Sequence, residues 1–242
     1  MDSTFRKLDR LPSGAKVISS LLPPADAYVF DIDGTLLNSH DLVHWNAFRR
    51  GMIEAYGVDA TIEGIPCHGM TDISILRAAL ARTGIQNGAF EAHLPHAIEV
   101  LCREVERNKE QFRPQICPGV KDLLGALDGA GHLLGVASGN LESVGWHKIA
   151  AAGLREFFAF GSFSDGSENR AGIFRNAKRE AERRLGLGAS VCFIGDTPAD
   201  VQAAKEVGAP VVAVATGIFS TDQLTACCPN VSITRCSELL SR

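Results

Sequence analysis

The sequence predicts an α/β fold, in which a doubly wound, mostly parallel sheet carries an inserted all-helical cap. Short apolar runs alternate with helical patterns along most of the chain. A parallel sheet that is covered by helices on both faces requires this alternation. One long stretch, residues 39–114, interrupts the alternation and contains helical patterns without a convincing strand. We therefore expect a sheet-based core with one helical insert.

Five short runs are expected to form the strands, because each is apolar, rich in β-formers and of strand length. They are residues 27–31, 133–138, 157–163, 191–196 and 211–216. The helices expected between them are residues 120–131, 141–152, 173–185 and 198–207. Helices often have proline near the start and glycine just past the end, and the last of these segments shows both, at Pro198 and Gly208.

The insert is expected to contain three helices, near residues 41–56, 72–83 and 89–111. Thr71 stands at an N-cap position, and Asp72 follows in the positive first turn. The insert leaves the sheet after the first strand and returns at residues 114–118, so it lies beside the strand ends where such folds bind ligands. The predicted organisation is a leader at 1–24, a Rossmann-like core at 25–38 and 115–242, and a helical cap at 39–114 that acts as a lid.

Composition excludes several classes of function. The chain has 242 residues, 45% of them hydrophobic, and a formal net charge of -4. This balance provides no basic field for a nucleic-acid backbone, so small ligands are favoured. No run is long enough for a signal sequence or a membrane span, which predicts a cytoplasmic protein without a membrane partner. The seven scattered cysteines are expected to be reduced, and a monomer or a homodimer is expected.

The most informative segment is the end of the first predicted strand, where Asp31 and Asp33 stand two residues apart before Gly34 and Thr35. Alternate side chains of an extended segment point the same way, so both carboxylates can reach one reacting group. An aspartate followed by Gly-Thr is also common in a simple turn.

Three further clusters follow predicted strands. Ser138, Gly139 and Asn140 open a helix whose exposed N–H groups attract phosphate. Arg170 supplies a fixed positive charge before the helix expected at Ile173. Asp196 and Asp200 add hard oxygen ligands after the fourth strand. As alternatives, the segment 196–198 could simply cap the next helix, and Asp200 could be a solvated acid in the first turn of that helix.

Taken in this order, the clusters resemble those of the haloacid dehalogenase superfamily, and specifically its phosphatase branch with a helical cap. The resemblance covers residues 27–216 and implies a Mg²⁺-dependent, phosphoglycolate-phosphatase-like enzyme that acts on a small phosphorylated metabolite. It makes Asp31 the nucleophile that becomes a phosphoaspartate, and Asp33 the acid and base. The metal set that it implies is Asp31, Asp33 through its carbonyl, Asp196 and Asp200.

The same resemblance assigns phosphate binding to a second set of groups, which are Thr35, Ser138, Gly139, Asn140 and Arg170. One departure concerns the cation, since the family usually has lysine where this chain has Arg170, 26 residues before Asp196. Lys178 lies further along the helix and is a poorer match. Arginine keeps the charge and adds a planar fork, so phosphate binding should survive.

Two other functions stay open at this point. A phosphomutase that transfers phosphoryl groups on a sugar phosphate resembles this core closely, and the difference lies in cap contacts that the sequence does not reveal. A non-catalytic phosphate-binding regulator would be expected to lack one or more of the acids, and here all of them are present. A dehalogenase is disfavoured because that reaction needs no acid two residues after the nucleophile.

Overall fold

A computed structural model describes residues 17–38 and 42–241 of the chain. Most of the expected leader, residues 1–16, and the first residues of the expected cap, 39–41, lie outside the described part. The division into leader, core and cap stays a prediction. Within the described residues, no helix has the length and apolar character that crossing a membrane requires.

The described residues form ten strands and eight α-helices. The strands are β1 (Val17–Ile18), β2 (Ala27–Phe30), β3 (Leu37–Asn38), β4 (Gln115–Ile116), β5 (Leu133–Ala137), β6 (Phe160–Ser162), β7 (Val191–Gly195), β8 (Val211–Val214), β9 (Val231–Ile233) and β10 (Leu240–Ser241). The helices are α1 (Val43–Tyr56), α2 (Asp72–Ala81), α3 (Asn87–Asn108), α4 (Val120–Gly129), α5 (Glu142–Ala151), α6 (Arg170–Leu185), α7 (Pro198–Glu206) and α8 (Thr221–Ala226).

The main sheet has six parallel strands in the order β6-β5-β2-β7-β8-β9. Both of its faces are buried, because successive residues of β2 belong to two separate apolar clusters. Tyr28 and Phe30 pack in a cluster with residues of α4, whereas Ala27 and Val29 pack in a cluster with residues of α6 and α7. The sheet is therefore covered on both sides, and the expected α/β fold is confirmed.

The order of the strands brings the expected site residues to one edge. In β2, Phe30 lies opposite Val136 of β5 and Ile194 of β7. The chain continues from these three parallel strands in the same direction, so the segments that begin at Asp31, Ser138 and Asp196 leave the sheet side by side.

Helices α1, α2 and α3 form a third apolar cluster, which includes Met52, Leu76 and Leu101. The cluster also takes in Leu141 and Val144 from the start of α5, so the three helices rest on the core beside the strand ends. Thr71 is the N-cap of α2, and its hydroxyl accepts a hydrogen bond from the Ser74 N–H, as expected.

Among the differences from the sequence-based expectation, three concern the main sheet and α6. The sixth strand, β9, was not expected, because three residues that include Ser232 give too weak a pattern. Helix α6 begins at Arg170 instead of Ile173, since the Asn169 side chain caps it by accepting from the Ala171 N–H at 2.8 Å. The third main strand is shorter than expected, because residues 155–157 form a 3₁₀ turn instead.

Candidate active site

Three buried aspartates meet at the strand ends. Asp31 follows β2, Asp196 follows β7, and Asp200 lies in the first turn of α7. One carboxylate oxygen from each lies within 4.8 Å of the others, and exposed fractions are 5%, 1% and 0% respectively. Negative charges packed this closely repel one another, so the cluster requires compensating positive charge.

Arg170 supplies part of that charge. Its Nη2 atom lies 2.8 Å from Asp31 Oδ1 and 2.5 Å from Asp200 Oδ1, and its Nε also donates to Asp200 Oδ1 at 2.8 Å. Burial opposes the charged guanidinium, but the two carboxylates outweigh it and raise the pKa of Arg170. The early start of α6 makes this contact possible, because it places Arg170 in the first turn, facing the cluster.

Asp200 has both carboxylate oxygens engaged by protein. Its Oδ1 accepts from Arg170, while its Oδ2 accepts from the Thr197 N–H at 3.0 Å and the Thr197 hydroxyl at 2.7 Å. Asp200 therefore caps α7 and orients Arg170 at the same time. The alternative of a solvated first-turn acid is wrong for Asp200, because its side chain is fully buried and belongs to the charge cluster.

Asp196 differs from Asp200 in using only one of its two carboxylate oxygens for hydrogen bonds to the described residues. Its Oδ1 accepts from the Thr35 hydroxyl at 3.1 Å, whereas its buried Oδ2 has no hydrogen-bond partner among the described residues. A Cβ atom on Gly34 or Gly217 would collide with this carboxylate, so the two glycines keep the space around it open. Gly34 also has a φ of 87°, which favours glycine.

The electrostatics of the cluster favour the binding of a cation. Burial, followed by the charges of Asp31 and Asp200, raises the pKa of Asp196 to about 8. Burial raises the pKa of Asp31 to about 7, although Arg170 opposes the rise. Oxygen-only donors and an unpartnered buried carboxylate oxygen are the features of a site for a hard divalent cation.

Asp33 belongs to a second network of hydrogen bonds. Lys148 Nζ donates to both of its carboxylate oxygens, at 2.9 and 2.8 Å, and Asn140 Nδ2 donates to Oδ2 at 2.7 Å. Loss of hydration in the protein would by itself raise the pKa of Asp33. The charge and hydrogen bonds of Lys148 outweigh that effect, so the pKa lies below its usual value. Asp33 is 43% exposed at the side chain, so it faces the opening of the site.

Ser138 belongs to the second network. It is 1% exposed, and its hydroxyl oxygen accepts from Asn140 Nδ2 at 2.8 Å. The hydroxyl can therefore still donate its own proton to a ligand. Gly139 is closely covered, because a Cβ atom there would contact the Met70 carbonyl and the Thr71 backbone.

The segment before α2 closes one side of this site. The Asp72 N–H donates to the Gly139 carbonyl at 2.7 Å, and Asp72 Oδ2 accepts from the Leu141 N–H at 2.8 Å. His44 of α1 lies 3.1 Å from the same Asp72 oxygen. Asp72 thus caps the start of α5 from the helical insert, which joins the insert to the loop that carries Ser138.

A second contact joins the insert to the core. Arg77 of α2 donates to both carboxylate oxygens of Glu168, at 2.8 and 2.7 Å, and Glu168 precedes α6. The Thr71 hydroxyl donates to the Glu168 carbonyl at 3.1 Å. These bonds place α2 against the loop before Arg170.

Sequence reasoning placed the acids at one edge but missed Lys148. The available signal was its helical spacing, since Lys148 lies four residues after buried Val144 and next to buried Ile149. A lysine on the inward face of a helix needs a partner. The sequence does not identify that partner, because Asp33 is 115 residues away.

Comparisons with known proteins agree with this arrangement. A family model described as haloacid dehalogenase-like hydrolase matches residues 25–208. Phosphoglycolate phosphatase from Synechococcus elongatus is 30% identical over 221 residues, which is 88% of this chain and 95% of that protein.

Two solved structures have the same fold. CbbY from Rhodobacter sphaeroides, in complex with phosphate, superposes with a TM-score of 0.66 at 19% identity and covers 89% of this chain and 96% of its own. A haloacid dehalogenase-like family hydrolase from Streptococcus pneumoniae gives 0.60 at 21% identity, with 88% and 95% covered. At these identities the likeness concerns the fold. The family model spans most of the chain, and the chain therefore belongs to the haloacid dehalogenase-like hydrolases, as an enzyme similar to phosphoglycolate phosphatase.

Proposed function

We propose that this enzyme is a Mg²⁺-dependent phosphatase that hydrolyses a small phosphomonoester through a phosphoaspartate at Asp31. The single observation that carries the proposal is the buried contact between Asp31 and Arg170 beside the unpartnered oxygen of Asp196. The proposal makes Asp31 the carboxylate nucleophile, Arg170 the fixed cation and Asp196 part of a metal site. This is the set of groups that phosphoryl transfer to an aspartate needs.

The residues present fit a magnesium ion. Asp196 Oδ2 and a carboxylate oxygen of Asp31 would be ligands, and the carbonyl of Asp33 would be a third. Asp200, whose two oxygens are engaged, would contribute its charge and hold Arg170. When bound, the ion supplies Lewis-acid stabilisation of the charge on the transferring phosphoryl group.

In the first step, an oxygen of Asp31 attacks phosphorus and the bond between phosphorus and the ester oxygen breaks. Lys148 keeps Asp33 mainly ionised, and it is the minor protonated form of Asp33 that gives its carboxyl proton to the departing oxygen, so the alcohol leaves neutral. In the second step, water attacks phosphorus and transfers a proton to Asp33, the bond to Asp31 breaks, and inorganic phosphate leaves. Arg170 offsets the negative charge at Asp31, and Ser138 donates to a phosphoryl oxygen.

The cap limits the size of the substrate. The backbone of Met70 and Thr71 covers Gly139, and a Cβ atom on Gly69 would lie 3.1 Å from Ala199 Cβ. A cover at this distance from the strand ends excludes macromolecular substrates and shields the phosphoenzyme from water. The first compound to test is 2-phosphoglycolate, which the name of the Synechococcus relative suggests.

The test compares wild type with Asp31→Asn on a panel of small phosphomonoesters, with Mg²⁺ or with EDTA. Wild type should release inorganic phosphate with Mg²⁺, and Asp31→Asn should lower kcat by a factor of roughly 10³ or more. Asp222→Asn is the matched control, since Asp222 is an exposed acid of α8. Near-normal turnover by Asp31→Asn would refute the nucleophile. An isomerised sugar phosphate without free phosphate would instead support the mutase.

A further inference from the structure

We infer that Lys148 is a positioning residue, which holds the Asp33 carboxyl group in the orientation from which it reaches the ester oxygen of the substrate. The inference rests on the proposed function, because it assigns to Lys148 the task of orienting the acid and base of that reaction. Lys148 itself would touch neither the substrate nor the metal.

All three protons of the Lys148 ammonium are used at this site. They go to Asp33 Oδ1 at 2.9 Å, to Asp33 Oδ2 at 2.8 Å and to Asn140 Oδ1 at 2.8 Å. Lys148 is 4% exposed, and burying an ammonium is costly unless it is paired in this way. An apolar side chain would fill the same position on α5 at lower cost, so stability alone does not account for a lysine.

Asp33 needs such a partner. Its side chain is 43% exposed, and a carboxylate facing water rotates freely unless several bonds fix it. Lys148 bonds both oxygens, which restrains the plane of the carboxylate, while Asn140 bonds one of them. Without Lys148, Asn140 would be the remaining one of these two groups that restrain the carboxylate.

Asn140 links this arrangement to the phosphoryl site. Its Nδ2 donates to Asp33 Oδ2 and also to Ser138 Oγ, while its Oδ1 accepts from Lys148. The position of Asp33 is therefore tied to the hydroxyl that is proposed to bind the phosphoryl group. A small displacement at this point would separate the acid from the oxygen that it must protonate.

The chemistry of the leaving group provides the test. Protonation by Asp33 matters when the departing oxygen is basic and matters little when the leaving group is stable as an anion. Phenyl phosphate releases phenol, which is about as weak an acid as a tyrosine side chain, with a pKa of about 10. The related ester p-nitrophenyl phosphate has the same ring with a nitro group added, and it releases a much more acidic phenol. The quantity to compare is kcat/KM, which covers the steps up to release of the phenol.

The experiment measures kcat/KM for both esters with wild type, Lys148→Met and Lys148→Gln, each with Mg²⁺. We expect both variants to lose about 10-fold more activity on phenyl phosphate than on p-nitrophenyl phosphate. The glutamine variant keeps a polar donor, and it provides a second test if the methionine variant does not fold. Lys178→Met is the matched control, because Lys178, on α6, donates to the Val207 carbonyl at the end of α7, away from the site. Any loss of kcat/KM in this variant should be equal for the two esters.

A double-mutant cycle with Asp33→Asn tests whether the effect of Lys148 on kcat/KM depends on Asp33. If Lys148 acts through Asp33, adding Lys148→Met to Asp33→Asn should change kcat/KM by less than about twofold. An equal loss on both esters, a full additional loss in the Asp33→Asn background, or wild-type activity in both variants would each overturn the inference. Failure of the proposed function would look different, since wild type itself would then release no phosphate from either ester.

Discussion

Replacing Arg170 by methionine should be strongly destabilising. Arg170 is 10% exposed at the side chain, and it bonds Asp31 and Asp200, which are 5% and 0% exposed. Methionine fills a similar volume but leaves two buried carboxylates without their cation. Removing one partner of a buried ion pair costs about 3–5 kcal/mol. Because a chain of this size changes its Tm by roughly 2–4 °C per kcal/mol, a fall of about 6–20 °C is expected.

The pH dependence of this loss has a definite sign. Burial raises the pKa of Asp31 to about 7 from 3.8, in spite of Arg170, and removal of the guanidinium raises it further. Below pH 7 the folded wild type already holds Asp31 mostly protonated, so its pairing with Arg170 contributes little. The difference in stability between wild type and variant should therefore widen as the pH rises through about 7.

Thermal unfolding at pH 6 and pH 8, in EDTA, measures both effects. Arg175→Met is the matched control, because Arg175 is exposed on the same helix and its loss should stay within about 0.5 kcal/mol. Adding Asp200→Asn to Arg170→Met removes one unpaired charge and should recover part of the loss. A fall of less than about 3 °C for Arg170→Met, or a loss that narrows with rising pH, would refute the charge-compensation argument.

Two further predictions concern the contact between α2 and the core and the space around Asp196. Glu168→Gln should cost about 0.5–1 kcal/mol at pH 7, because the ion pair with Arg77 is roughly one-third exposed and screened by solvent. Hydrogen bonding to Arg77 lowers the pKa of Glu168 from 4.5, so its contribution is present above pH 4.5 and is lost as the pH falls below it; equal Tm differences at pH 7 and pH 3 would contradict this. Gly217→Ala should cost about 1–3 kcal/mol and weaken Mg²⁺ binding in titration calorimetry, because its Cβ atom would collide with the Asp196 carboxylate. Gly125→Ala on α4, where a Cβ atom meets open space, should leave Mg²⁺ binding unchanged, and an equal loss of binding in both variants would refute the steric explanation.

Much of the fold could be predicted because its signals are local. A buried parallel strand is a short apolar run, and β2, β5, β7 and β8 lie within the predicted runs. β9 was missed for the same reason, since a three-residue edge strand that includes a serine lacks that pattern. The start of α6 was placed three residues late because Asn169, whose side chain caps the helix, was not recognised.

The candidate site, like the fold, could be predicted only where its signals are local. Asp31, Ser138 and Asp196 each follow a strand directly, so their shared edge follows from the direction of parallel strands. The roles that depend on distant partners could not be predicted. Asp200 and Arg170 are 30 residues apart, and both oxygens of that aspartate turn out to be engaged by protein.

The sequence by itself determined which chemical groups reach the carboxyl edge of the sheet, because strand periodicity and chain direction are properties of neighbouring residues. Only the tertiary structure decided which charges meet there. It pairs Arg170 with two aspartates and Lys148 with Asp33, and among the described residues it leaves one buried oxygen of Asp196 without a hydrogen-bond partner. The physical reason is that a buried charge takes its partner from whatever element packs against it, and packing brings together residues that lie far apart in the chain.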